Sequence, residues 1–242
     1  MYEIPSYTVL PASGELGKSG FLRLSGYQHL VCSAAETEMI ARHSSVKETI
    51  SRGFAWAFTS LTIDVLRPIN GCEPITARTW LSSARFPVNR RELQFFSGEL
   101  ECFRAAVFSV PVSTVTHAIT RPEEDLFSCP TGEPILENVV SRISSLPELH
   151  EAFRREVYPS DIDALGHMNN CRYGALAYDA LTEDERGRLS LPYRFTINFR
   201  RQFFEGSTVV VSRGQSESGI YIAGSAPDSE KPHFVVWIEF DK

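Results

Sequence analysis

A stretch with helical spacing of apolar residues, then a series of short alternating runs: this order occurs twice along the chain. It limits the fold more than any other feature of the sequence. In the first half, residues 7–10 form a short strand candidate, followed by a Gly-rich stretch at 14–20. Residues 24–43 then place Leu30, Ala34, Met39 and Ile40 on one helical face with no proline inside. Alternation takes over at residues 56–65 (WAFTSLTIDV), a run rich in β-branched and aromatic side chains. Further strands are expected at 75–81, 93–96 and 100–110, the last two joined as a hairpin through Ser97, Gly98 and Glu99. The second half repeats the order: a strand at 152–158, a loop at 159–168, a helix at 169–181, and strands at 193–201, 208–213, 219–223 and 234–240.

Between residues 121 and 149 the strand signals fade and five prolines and glycines (Pro122, Pro130, Gly132, Pro134, Pro147) punctuate a polar stretch. The expectation there is a connector with one short helix near residues 136–143, and a domain boundary. One helix against a meandering antiparallel sheet, in duplicate, is an α+β architecture. A fused duplicate also lets each half cover the exposed sheet edge of the other.

Composition narrows the function classes. A net charge of -6 disfavours nucleic acid as a partner, because phosphate binding needs a concentrated basic surface. The chain contains no run of apolar residues long enough for a membrane-spanning helix. Its first twenty residues (MYEIPSYTVLPASGELGKSG) lack a basic segment followed by an apolar one, so a cytoplasmic protein without a signal peptide is expected. The five cysteines (Cys32, Cys72, Cys102, Cys129, Cys171) are odd in number and widely spaced, which predicts reduced thiols and neither disulfides nor a zinc site. His29, His43, His117, His150 and His233 have no metal-ligand spacing. No metal or organic cofactor is implied.

Chemistry concentrates in residues 158–173, YPSDIDALGHMNNCRY. Asp161 and Asp163 lie two apart, followed by Gly166, His167, Met168, Asn169 and Asn170, directly before an apolar helix. A helix start offers free backbone N–H groups and a partial positive charge, the equipment needed to hold the oxyanion of an attacked thioester. Gly166 permits close backbone approach. Asp163 or His167 is suited to polarise a water or to act as nucleophile, and the N–H groups of residues 166–168 are the expected oxyanion hole. Against this stands helix capping, a common use of Asp and Asn, for Asp161, Asn169 and Asn170. A calcium loop lacks its distal glutamate. Cys171 is expected to pack as a small apolar thiol. Arg154, Arg155, Arg172, Arg194, Arg200 and Arg201 concentrate in the second half, either as an ion-paired surface or as a basic patch for an acidic partner.

The stretch Asp163-Ala-Leu-Gly-His167-Met-Asn169-Asn170, with Tyr173 beyond it, resembles the signature loop of hotdog-fold thioesterases. Over nearly its whole length the chain resembles the acyl-acyl-carrier-protein thioesterases of plants and bacteria, through FAWAFTSLTIDVLRPI, RRELQFFSGELECFRAAVFSV and NFRRQFFEGSTV. The resemblance implies two tandem hotdogs: residues 1–127 forming the acyl pocket, a connector at 128–150, and residues 151–242 carrying the catalytic loop. It implies a thioesterase that releases fatty acid from acyl carrier protein and so terminates fatty-acid synthesis, with Asp163, His167 and Gln202 as the catalytic set. Three positions depart from the family pattern. Leu165 stands where the family usually has Asn, Gln202 replaces a strand Glu, and Phe203 replaces a Cys found in some plant members. Gln202 retains hydrogen bonding but not the basicity of a carboxylate. An acyl-coenzyme A thioesterase, or a hotdog that binds acyl chains or carrier without turnover, are the alternatives. Homodimerisation is left open, since fused hotdogs satisfy the usual pairing internally.

Overall fold

The ten alternating runs become ten strands. A computed structural model describes residues 4–122 and 130–240. In the first half β1 (Ser6–Val9) precedes the long helix α1 (Leu24–Ala41) and the short α2 (Val46–Ser51). Strands β2 (Phe54–Val65), β3 (Ile75–Arg85), β4 (Val88–Ser97) and β5 (Leu100–Ser113) follow. In the second half β6 (His150–Glu156) precedes α3 (Asn170–Asp179) and α4 (Glu183–Arg188). Then come β7 (Tyr193–Phe199), β8 (Thr208–Ser216), β9 (Gly219–Ser225) and β10 (Phe234–Phe240). All these strands join one antiparallel sheet of order β1-β3-β4-β5-β2-β7-β10-β9-β8-β6. Read outward from β2 and β7, the two halves run through the same strand order. The repeat of elements is a repeat in space.

The seam between the halves is the β2–β7 ladder, and its side chains explain why it closes. Its register pairs Leu61 with Ile197, Ile63 with Phe195 and Val65 with Tyr193, all buried on the face that meets the helices. On the opposite face Ser60 pairs with Asn198 and Thr62 with Thr196. These four polar residues are buried too, and they satisfy one another: the Asn198 amide donates to Ser60 Oγ at 3.0 Å, and the Thr62 and Thr196 hydroxyls lie 3.0 Å apart. A slip of one residue would bury this polar row among apolar side chains, so the pattern fixes the register.

The helices pack side by side beneath the sheet. α1 buries Leu24, Tyr27, Gln28, Val31, Ala34, Ala35 and Glu38, a stripe at the three-and-four spacing of a helix face. Tyr27 meets Phe103 edge-on at 5.0 Å and its hydroxyl accepts the Ile69 N–H at 2.9 Å. α3 approaches α1 closely because Gly174 has no side chain: an added Cβ would lie 2.0 Å from Gln28 Oε1 and 3.1 Å from the Ser25 backbone nitrogen. Gln28 Nε2 in turn donates to the Asn170 carbonyl at 3.0 Å.

The connector departs from expectation, because residues 136–143 form no helix. Leu136 and Ile143 are buried as a helical spacing suggested, but the segment lies extended on the sheet, where the sheet's side chains satisfy its backbone. Arg90 donates to the Leu136 carbonyl at 2.7 Å, Ser60 Oγ to the Val140 carbonyl at 3.1 Å, and the Ile143 N–H to Asn198 Oδ1 at 2.5 Å. External partners for backbone polar groups remove the need for helical ones. The domain boundary expected at residues 127 and 128 lies outside the described residues.

A side chain at position 174 would have to part the two helices. Gly174→Val is therefore expected to destabilise the fold by about 1–3 kcal/mol, read from urea unfolding; an unchanged midpoint would show that the close contact is dispensable.

Candidate functional site

The two aspartates of the loop have separate fates. Asp161 is buried, and its carboxylate receives Arg155 NH2 at 2.6 and 2.8 Å, Arg172 Nε at 3.2 Å and the Tyr158 N–H at 3.0 Å. Its carbonyl accepts the Asn169 N–H at 2.8 Å. Asp161 thus ties β6, the loop and the start of α3 together, and its role is structural. Asp163, two residues on, is left for other work.

The segment between them closes on itself. The Asp163 N–H donates to the His167 carbonyl at 3.0 Å and the Gly166 N–H to the Asp163 carbonyl at 3.0 Å. Gly166 sits at φ +83°, in the left-handed region where a side chain is disfavoured. Asp163 Oδ1 accepts the Leu165 N–H at 2.8 Å, which leaves Oδ2 as the free oxygen, 3.7 Å from His167 Nδ1. That separation is an ion-pair distance and too long for a hydrogen bond.

Asp163, Leu165, Asn169 and Asn170 lie on the wall of a cavity of about 290 Å³. The rest of the wall comes from the first half: Cys32, Glu36 and Met39 of α1, Trp56 and Phe58 of β2, and Arg91 of β4 among others. The cavity therefore lies between the two halves, roofed by the first and floored by the loop of the second. Asn169 caps α3, its Oδ1 accepting the Cys171 N–H at 2.9 Å, and its carbonyl accepts the Arg172 N–H at 2.9 Å. The Asn170 N–H, first in the helix, has no intrahelical acceptor.

Other expected site residues are placed elsewhere. The expected oxyanion donors at residues 166–168 are partly consumed: the Gly166 N–H closes the turn, and the Met168 N–H donates to the Phe203 carbonyl at 2.8 Å. Gly166, His167 and Met168 are absent from the cavity wall, and the Met168 side chain is in the core. Asn170 takes their place at the wall. Gln202 is solvent-exposed and does not line the cavity either. The chain turns Phe203 inward, against His233 at 4.5 Å between ring centroids, so its neighbour Gln202 faces out.

Cys171 is buried, as expected of a packing thiol. Its sulfur lies 4.0 Å from Cys32 Sγ, and that neighbour together with burial pushes the Cys171 thiol up. Cys129 lies outside the described residues. Among the described residues no group of three or more His, Cys, Asp or Glu is placed to hold a metal, and no helix is long and apolar enough to cross a membrane.

A buried ion cluster outside the expected set adjoins the cavity. Glu38, fully buried on the α1 stripe, is clamped between Arg42 and Arg91, the latter at 2.9 Å, and both arginines reach the cavity wall. A carboxylate on the apolar face of a helix, three and four residues beyond Ala35 and Ala34, was the available signal, since such a group demands partners. Nearby Glu36 also lines the cavity, and burial raises its pKa.

The knot at Asp161 makes a direct expectation. Asp161→Ala removes the partner of Arg155 and should cost about 3 kcal/mol in unfolding free energy; a loss below about 1 kcal/mol would mean the loop is held by its backbone alone.

Comparison with known proteins places the chain by shape and not by sequence. No protein-family profile and no curated protein sequence matches it. Among solved structures, an acyl-ACP thioesterase from Bacteroides thetaiotaomicron superposes with TM-score 0.86 at 15% identity, covering 98% of each chain. A putative oleoyl thioesterase from Lactobacillus plantarum gives TM-score 0.79 at 17% identity, covering 99% of this chain and 98% of its own. The 12:0-ACP thioesterase of Umbellularia californica gives TM-score 0.73 at 17% identity, covering 98% and 96%. From end to end, then, this chain has the α+β double-hotdog fold found in acyl-ACP thioesterases.

Proposed function

We propose that the chain is a thioesterase that hydrolyses fatty acyl thioesters, with Asp163 as its catalytic carboxylate. The observation that carries this reading is the state of the Asp163 side chain. One oxygen is fixed by the Leu165 N–H and the other accepts no hydrogen bond among the described residues, on the wall of a largely apolar cavity beside the first turn of a helix. The likeness in fold to three proteins described as thioesterases supports it.

In the proposed reaction the acyl chain occupies the cavity walled by the first hotdog, residues 1–127, and the thioester carbonyl lies at the loop of the second, residues 151–242. Asp163 Oδ2 takes a proton from water as the water oxygen attacks the carbonyl carbon. The Asn170 N–H and the positive end of α3 stabilise the oxyanion. The carbon–sulfur bond then breaks. A thiol has a pKa of about 8.5, so the leaving thiolate needs little acid assistance. His167, whose Nδ1 lies 3.7 Å from Asp163 Oδ2, is the group that positions the carboxylate. Gln202 is given no proton-transfer step, because it faces solvent and lacks a carboxylate.

Acyl carrier protein is the proposed carrier of the acyl group, which makes the enzyme a cytoplasmic terminator of fatty-acid synthesis. The support is the naming of two of the similar structures, and coenzyme A thioesters are the competing substrates.

Asp163→Asn keeps an oxygen for the Leu165 N–H and removes only basicity. It is expected to lower kcat/KM by more than about 100-fold with unfolding unchanged; activity near wild type would remove Asp163 from the mechanism. In thiol-release assays from octanoyl to stearoyl thioesters, the carrier-protein substrates should outpace their coenzyme A counterparts, and the advantage should shrink as salt rises. Tight binding of acyl carrier protein without thiol release would identify a non-catalytic hotdog instead.

A further inference from the structure

Six arginines concentrate in the second half, and the structure sorts them. Arg154 pairs with Glu151 at 2.8 Å, Arg155 and Arg172 with Asp161 at 2.6 and 3.2 Å, and Arg194 with Asp64 at 3.2 Å. Arg200 and Arg201 have no ion pair among the described residues. Instead they line a second cavity, of about 370 Å³, together with Arg142 and Lys231, and no Asp or Glu contributes to its wall.

This cluster is built, not incidental. Asn198 accepts the Ile143 N–H at 2.5 Å and donates to the Ser141 carbonyl at 3.2 Å, so the end of β7 grips the connector on either side of Arg142. The Arg200 guanidinium donates to the Ile143 carbonyl. The Arg200 and Arg201 N–H groups share one acceptor, the His233 carbonyl, at 2.8 and 3.0 Å, which ends the strand and turns both residues toward Lys231. Burial, and then the charge of Arg142, lower the pKa of Arg200, as expected where cations are crowded without a counter-charge. The crowding opposes folding, and a bound anion would relieve it. The second cavity also adjoins the first: Phe199 lines it and packs against Phe58 of the acyl cavity, with ring centroids 6.4 Å apart.

We propose that Arg142, Arg200, Arg201 and Lys231 form a binding site for the phosphoryl group of the thiol carrier that delivers the acyl chain. Arginine forks and a lysine suit a dianionic phosphoryl oxygen set. The assignment of the phosphate to a carrier rests on the thioesterase reading; the affinity for phosphoryl groups does not.

The test is calorimetric titration of the full chain with coenzyme A, with phosphopantetheine and with unphosphorylated pantetheine. Arg142→Gln combined with Lys231→Gln is the variant, since both side chains are exposed and neither touches the catalytic loop. Coenzyme A should bind the variant about tenfold or more weakly than wild type, with pantetheine unaffected. Phosphopantetheine behaving like coenzyme A would place its single phosphate in the site; coenzyme A binding alone would place the nucleotide phosphates there. Steady-state hydrolysis should show a raised KM on acyl-coenzyme A, an unchanged kcat, and no change on acyl-pantetheine. Equal affinity of wild type and variant for coenzyme A overturns the site even if hydrolysis is robust. An enzyme that turns over no thioester but still prefers coenzyme A to pantetheine, and loses that preference in the variant, fails the function and keeps the site. Inorganic phosphate binding as tightly as coenzyme A overturns the carrier assignment.

Discussion

Pairing of β2 with β7 is the interaction on which the rest of the molecule depends. Each strand would otherwise stand at the edge of a five-stranded sheet with a row of unpaired N–H and C=O groups. Joining them satisfies those groups and completes a sheet of ten strands. The same act sets α1 beside α3, at the distance allowed by Gly174. The cavity has walls from α1, β2 and β4 and a floor from residues 163–165, 169 and 170, so it exists only once the two halves have met. Neither half contains the site alone.

The polar row on the outer face of that seam has a second use. Ser60 and Asn198 satisfy each other across the ladder and also bond the connector, at the Val140 carbonyl, the Ser141 carbonyl and the Ile143 N–H. A hydrogen-bonding surface in the middle of a sheet acts here as a clamp for an extended segment. The apolar side chains of that segment, Val140, Ile143, Leu146 and Leu149, cover Tyr221, Ala223, Val235 and Trp237. The connector is thus part of the outer core, and it carries Arg142 to the basic cavity.

Division of labour between neighbouring residues runs through the loop. Asp161 and Asp163 differ only in position, yet one is locked by two arginines and the other keeps an oxygen free. Asn169 spends its side chain on the helix start, while Asn170, the first residue of α3, stands beside it on the cavity wall. Alternation does the same at Gln202 and Phe203, sending one side chain to solvent and the other into the core.

The sequence by itself determined the ten strands, the two long helices and their order, because period-two and period-3.6 patterns are local and each element buries one face. It also marked residues 158–173, through polar density before an apolar helix. What it misplaced were relations between distant segments. The helix expected at residues 136–143 failed because its backbone partners, Arg90, Ser60 and Asn198, come from strands far away in the chain. The Met168 N–H, expected to be free, is taken by the Phe203 carbonyl of the segment that follows β7. Arg91 in the clamp on Glu38, and Arg142 and Lys231 beside Arg200 and Arg201, are likewise brought in from segments that sequence leaves apart. Local periodicity decides which face a side chain takes; only the closed sheet decides which side chains share that face.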